Sequence, residues 1–129
     1  MMDERQIRIP PITLEWSDWF AWPRLALDAR TDPAGVRVPN SPGIYEVRLT
    51  DRDDRLTIGK ASNLRMRVKQ GLVKDKVPHS SGRDIRTCED VTRVLIRWAV
   101  TDRPAAVEEE LHLRHKAAFG RLPKYTDRT

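Results

Sequence analysis

Apolar and polar positions alternate in two short runs, Ile44 to Leu49 and Leu56 to Ile58, on either side of the turn-rich Asp51-Arg52-Asp53-Asp54. That pattern predicts a β-hairpin, with Gly59 closing its second strand. Ser62 and Asn63 then offer side-chain oxygens to cap a helix that carries Arg65, Arg67 and Lys69. Thr92 to Val100 has the composition of a further strand, and Val107, Leu111 and Ala118 define one apolar stripe at 100° per residue, predicting a helix. Between these lies Val73 to Asp90, which lacks a long apolar period and reads as a surface loop with room for a short helix.

The first 38 residues are patterned differently. Ile7, Ile9 and Ile12 alternate around Pro10-Pro11, as in an extended arm. Thr13 is placed to cap a helix through Trp16, Trp19 and Phe20, whose spacings of three and four residues share one helical face, ending near Pro23. Thr31-Asp32-Pro33-Ala34-Gly35 is a turn or linker. Three of the four tryptophans fall in this region. They suit a clamp onto the following domain, and also a surface that stacks on a base or fills a partner's pocket.

Composition narrows the function classes. At 129 residues the chain suits one modest core. No apolar run approaches the ~18 residues of a membrane span, and the acidic start Met1-Met2-Asp3-Glu4-Arg5 does not resemble a signal peptide. Cys88 is the only cysteine, so neither an internal disulfide nor a cysteine metal cluster can form. These features point to a cytoplasmic protein without a membrane partner. The net charge of +5 is uneven: residues 60–88 hold eight basic and two acidic side chains, whereas residues 1–59 hold eight and ten. Such a local positive field suits a polyanion, because neutralised phosphates release counterions. Arginine outnumbers lysine eighteen to six, and its planar fork matches phosphate.

Gly43-Ile44-Tyr45, followed after eleven residues by Thr57-Ile58-Gly59-Lys60 and then Asn63-Leu64-Arg65-Met66-Arg67, resembles the opening of the GIY-YIG nuclease family. The likeness continues through the strand-like Thr92 to Val100, through Ala105, Glu108 and Leu111 in the family's Ala-x-x-Glu-x-x-Leu pattern, and to a closing Pro123-Lys124-Tyr125. It covers about ninety residues. Two positions depart from the pattern: Thr57 stands where the second motif has tyrosine, and Thr126 where an asparagine follows the final tyrosine. The resemblance implies an α/β (α+β) fold, a small three-stranded antiparallel sheet flanked by helices over residues 39–129, preceded by an extension over residues 1–38. It also implies a DNA endonuclease, with Tyr45 as general base, Thr57 at the second motif, Lys60 and Arg67 on phosphate, and Glu108 holding Mg²⁺ or Mn²⁺.

The residues themselves carry part of that chemistry. A tyrosine accepts a proton from water only if cations or hydrogen bonds bring its pKa down from about 10, and Lys60 and Arg67 come from the same hairpin–helix unit. Among three adjacent glutamates, Glu108 lies at the edge of the apolar stripe, about 60° from Leu111. Glu109 is farther round, and Glu110 falls beside Arg114. One carboxylate plus waters and substrate oxygens suits Mg²⁺. Glu108-x3-His112-x2-His115 also has the spacing of a Zn²⁺ or Ni²⁺ site, against the commoner role of histidines in packing and hydrogen bonding. Gly59-Lys60 is not a phosphate-binding P-loop, because Asp54 stands where that motif needs glycine.

Arg65, Lys69, Lys74, Lys76 and Arg83 are the candidate contacts to the DNA backbone. Two other readings remain open: a DNA-binding module that keeps the fold without catalysis, and a protein-interaction domain built on the tryptophan segment. The oligomeric state, monomer or homodimer, is also open. A monomer with one active site would nick a single strand.

Overall fold

The computed structural model describes residues 5–9 and 11–126; Pro10 of the expected arm and the acidic start Met1–Glu4 lie outside them. Its centre is an antiparallel sheet of four strands in the order β1-β4-β2-β3: β1 Phe20–Ala21, β2 Gly43–Leu49, β3 Arg55–Ala61 and β4 Val94–Val100. The hairpin forms where the alternation predicts it, with Tyr45 opposite Gly59 and Val47 opposite Thr57. On its other side β2 pairs with β4, Tyr45 opposite Trp98.

Alternation along β2 sends side chains to opposite faces. Tyr45 and Val47 join Leu64, Val68, Leu72, Ile85, Ile96 and Trp98 in the larger core. Ile44 joins Ile58, Ala99 and Val107 in a smaller one. A π-wound helix, Arg65–Val73, and helix α2, Ser80–Cys88, cover the first face. Helix α3, Pro104–Phe119, covers the second and stops at Gly120, whose φ of 75° few other residues adopt at low cost. Asn63 caps the π-helix as expected, accepting from Met66 N–H at 3.2 Å. The carbonyls of Ser41 and Pro39 take the N–H groups of Leu64 and Arg65.

Three expectations need correction. The sheet has four strands rather than three, because Phe20–Ala21 pairs with Ile96 and Leu95. The tryptophan segment is not a helix: residues 11–19 have no regular secondary structure, and Ser17 exchanges hydrogen bonds with the Trp98 backbone at 2.8 and 3.0 Å. Aromatic residues favour sheet over helix, and stacking of Phe20 on Trp98 at 5.3 Å rewards the extended path. Gly59 does not end β3, which continues to Ala61. The stretch read as a loop with room for a short helix does hold one, the nine-residue α2, started by His79, whose Nδ1 accepts from Gly82 N–H.

The N-terminal region is packed into the same core. One-turn helix α1, Trp22–Leu25, places two buried side chains in the larger cluster, together with Val36 and Val38. On the opposite face, buried Glu46 accepts from Arg55 and Arg97 at 3.1 and 2.6 Å, and Trp16 and Trp19 lie over those arginines at 4.0 to 4.9 Å. Cation–π contacts therefore hold this segment to the sheet. No helix among the described residues is long and apolar enough to cross a membrane.

Candidate functional site

A cleft of about 970 Å³ opens along the outer edge of β3. Tyr45, Thr57, Lys60, Arg67 and Glu108 all line it, although they come from β2, β3, the π-helix and α3. They reach it from two sides of the sheet. Tyr45 and Thr57 belong to the face covered by the π-helix, Glu108 to the helix on the other face, and the edge strand runs between them. Having β3 as an edge strand is what allows both faces to contribute to one concavity.

Gly59 is the device that aims the phenol. A Cβ built there would collide with Cζ and the hydroxyl oxygen of Tyr45, so the ring lies across the edge strand where any other residue would block it. Tyr45 is 2% exposed, and its hydroxyl lies 2.9 Å from Nε2 of His79. His79 accepts from Gly82 N–H through Nδ1 at 3.0 Å. The imidazole proton is therefore on Nε2 and is donated to the phenol oxygen. Burial, with the positive charges of Arg67 and Arg86 adding to it, pushes the His79 pKa down to about 4, so the ring is neutral at physiological pH. Gly71 leaves room for it, since an added Cβ would sit 3.3 Å from the imidazole. His79 is the site residue that the sequence reading missed.

α3 meets the open edge of β3 with three side chains in a row. Glu108 Oε2 accepts Lys60 N–H at 2.9 Å, His112 donates from Nε2 to the Ile58 carbonyl at 3.1 Å, and His115 Nε2 accepts Arg55 N–H at 3.0 Å. The Leu56 carbonyl is taken by Tyr125 N–H at 2.7 Å. These bonds satisfy edge groups that would otherwise template another strand. The helix phase separates the glutamates as expected: Glu108 is half-buried against the hairpin, Glu109 is exposed, and Glu110 pairs with Arg114 at 3.0 Å. The apolar stripe differs in one place. Ala118 is exposed, and buried His115 follows Val107 and Leu111 instead. His115 also donates from Nδ1 to the Arg121 carbonyl at 2.7 Å, so both ring nitrogens are engaged and it cannot complete a Glu108–His112–His115 metal site.

The basic residues divide sharply. Lys69 is buried, its ammonium held 2.7 Å from the Val36 carbonyl, and burial lowers its pKa. Arg65 donates from Nε to the Val38 carbonyl at 2.9 Å. Both fasten the segment before the hairpin onto the π-helix; Lys69 is thereby buried away from any DNA backbone, against the sequence reading, whereas Arg65 stays partly exposed. Arg86 is likewise internal, bonded to the carbonyls of Gly71 and Leu72. Arg67 and Lys60 make no side-chain hydrogen bond or ion pair among the described residues, and both border the cleft. Lys76 and Arg83 are exposed and Lys74 is partly so, leaving three more cations near its α2 side.

The two departures from the family pattern lie in one corner. Thr57 is buried beside the Tyr45–Gly59 pair, but its hydroxyl donates to the Tyr125 carbonyl at 3.4 Å, which also accepts from Ser81 at 3.0 Å. Thr126 donates to the Pro123 carbonyl at 2.6 Å and does not line the cleft. Tyr125 itself donates to Glu89. Burial and that bond raise its pKa to about 12, and it is latched onto the end of α2. No protein-family model, curated protein or solved structure matches the chain.

Proposed function

We propose that this protein is a divalent-metal-dependent endonuclease of the GIY-YIG type, hydrolysing DNA phosphodiester bonds with Tyr45 as general base. The observation that carries the reading is the convergence of Tyr45, Lys60, Arg67 and Glu108 on one cleft, with both cations uncommitted. An N–H aimed at a phenol oxygen favours its anionic form, which is what a tyrosine needs to take a proton from water. His79 supplies that donor. Arg67 and Lys60 neutralise non-bridging phosphate oxygens, and Lys74, Lys76 and Arg83, before and within α2, follow the DNA backbone.

Glu108 fits a hard divalent cation. Its Oε2 is oriented by Lys60 N–H, and Oε1 makes no hydrogen bond among the described residues. Among those residues no group of three or more His, Cys, Asp or Glu side chains is placed to cage an ion, so waters and substrate oxygens supply most of the ligand shell, as suits Mg²⁺ or Mn²⁺. A divalent ion there supplies positive charge for the phosphorane-like transition state and the departing oxygen.

A supercoiled plasmid with Mg²⁺ or Mn²⁺ tests the reading. Wild type nicks it, whereas Tyr45→Phe binds DNA without cutting. Equal cutting by the two proteins removes Tyr45 from the chemistry. The second reading, a DNA-binding module without catalysis, draws support from the low exposure of Tyr45 and from Thr57, whose hydroxyl is turned to Tyr125. Salt-sensitive binding with no cleavage by wild type would select it. The tryptophan segment forms no helix over residues 11–19; negligible DNA affinity even at low salt would favour the interaction-domain reading instead.

A further inference from the structure

His112 is the one histidine on the cleft wall whose role is still unassigned. It stands four residues after Glu108 on α3, so the two side chains lie one above the other on the same helix face. Each is oriented by β3 through one polar atom only: Glu108 Oε2 by Lys60 N–H, and His112 Nε2–H by the Ile58 carbonyl. Donation to a carbonyl puts the imidazole proton on Nε2 and leaves the lone pair on Nδ1. Nδ1 and Oε1 make no hydrogen bond among the described residues. A ring whose N–H is fixed by a backbone carbonyl while its other nitrogen carries the lone pair is the arrangement that orients metal-ligating histidines.

We propose that Glu108 and His112 together form a carboxylate–imidazole pair that makes this site prefer Mn²⁺ or a later first-row ion over Mg²⁺. Mg²⁺ takes oxygen ligands and dehydrates reluctantly, whereas an imidazole nitrogen favours the first-row transition ions. His115, three residues farther on, has no lone pair to offer because both its nitrogens are bonded. The inference rests on the reading of Glu108 as the metal-holding carboxylate, and its test separates the two.

Titration calorimetry of the full chain without DNA, using MnCl₂ and MgCl₂, provides the measurement. Wild type binds Mn²⁺ more tightly than Mg²⁺, and equal affinity for the two ions would overturn the preference. His112→Gln keeps an N–H donor for the Ile58 carbonyl but removes the ring lone pair. It loses at least about tenfold in Mn²⁺ affinity while Mg²⁺ affinity stays the same. Substoichiometric Mn²⁺ also broadens the His112 imidazole NMR signals before those of His115. Wild-type affinity for both ions in His112→Gln, with Glu108→Gln impaired, overturns the role of His112 alone. Wild-type affinity in Glu108→Gln as well, or no ion binding at all, overturns both this inference and the metal reading of Glu108.

Discussion

Lowering the pH from 8 to 5 protonates a histidine in the unfolded chain but leaves His79 neutral in the folded one. Its folded pKa is about 4 against an ordinary 6.5, chiefly because the ring is buried, with Arg67 and Arg86 adding to the effect. The sign follows directly. Between these two values the unfolded state binds more protons, so stability falls as the pH falls. The full difference of some 2.5 pH units corresponds to about 3 kcal/mol, and about 2 kcal/mol of it is lost by pH 5. That is a large share of the 5–15 kcal/mol typical of a domain. His79→Asn isolates the contribution: asparagine is a good N-cap for α2 and accepts from Gly82 N–H, yet carries no group that titrates in this range. Urea denaturation of both proteins at pH 8, 6.5 and 5 gives the readout. Wild type loses about 2 kcal/mol more than His79→Asn over that interval. Parallel pH profiles would refute the neutral, buried state of His79 and with it the donor to Tyr45.

The other predictions concern the cleft and its cations. Glu108→Gln abolishes plasmid cleavage by orders of magnitude while DNA binding persists; Glu109→Gln and Glu110→Gln cut nearly normally, and equal cutting by all three variants removes Glu108 from the site. Gly59→Ala drives a methyl group into the Tyr45 phenol, costing about 1–3 kcal/mol by overpacking and displacing the hydroxyl, so melting and cleavage fall together. Replacing Lys74, Lys76 and Arg83 with Ala flattens the salt dependence of DNA affinity by up to about 0.9 per lost phosphate contact, read from fluorescence anisotropy against salt concentration. Lys69→Ala and Arg65→Ala lower the melting temperature and leave that slope intact, because these two side chains hold Val36 and Val38 carbonyls.

Much of the architecture was legible because its causes are local. Alternation and a turn of aspartates specify the hairpin from Ile44 to Ile58, and Asn63 announces the helix start through a bond three residues away. The phase of α3 singles out Glu108 from its neighbours, since 100° per residue is enough to turn Glu109 and Glu110 from the sheet. The resemblance to the GIY-YIG motifs also drew Tyr45, Thr57, Lys60 and Arg67 into one candidate site, and all four line the cleft.

What depended on partners distant in the chain could not be read the same way. The tryptophan segment has helical spacing, but Trp98 and Arg97, about eighty residues on, reward an extended chain that local propensity could not foresee. Lys69 and Arg65 look like any basic helix face until the 36–38 segment folds back and presents carbonyls to them. His79 lies 34 residues from Tyr45, in a stretch with no periodicity, and only the packing of α2 beside the π-helix brings imidazole to phenol. Gly59 seemed to end a strand, although its function is to leave space. The sequence by itself determined the hairpin, the strand after it in the sheet and the C-terminal helix, with the residue types they carry, because backbone preference and side-chain period act over a few residues. Tertiary structure decided which cations are free, which histidine touches the tyrosine and how the β3 edge is closed, because those outcomes depend on burial and on backbone groups supplied from elsewhere in the chain.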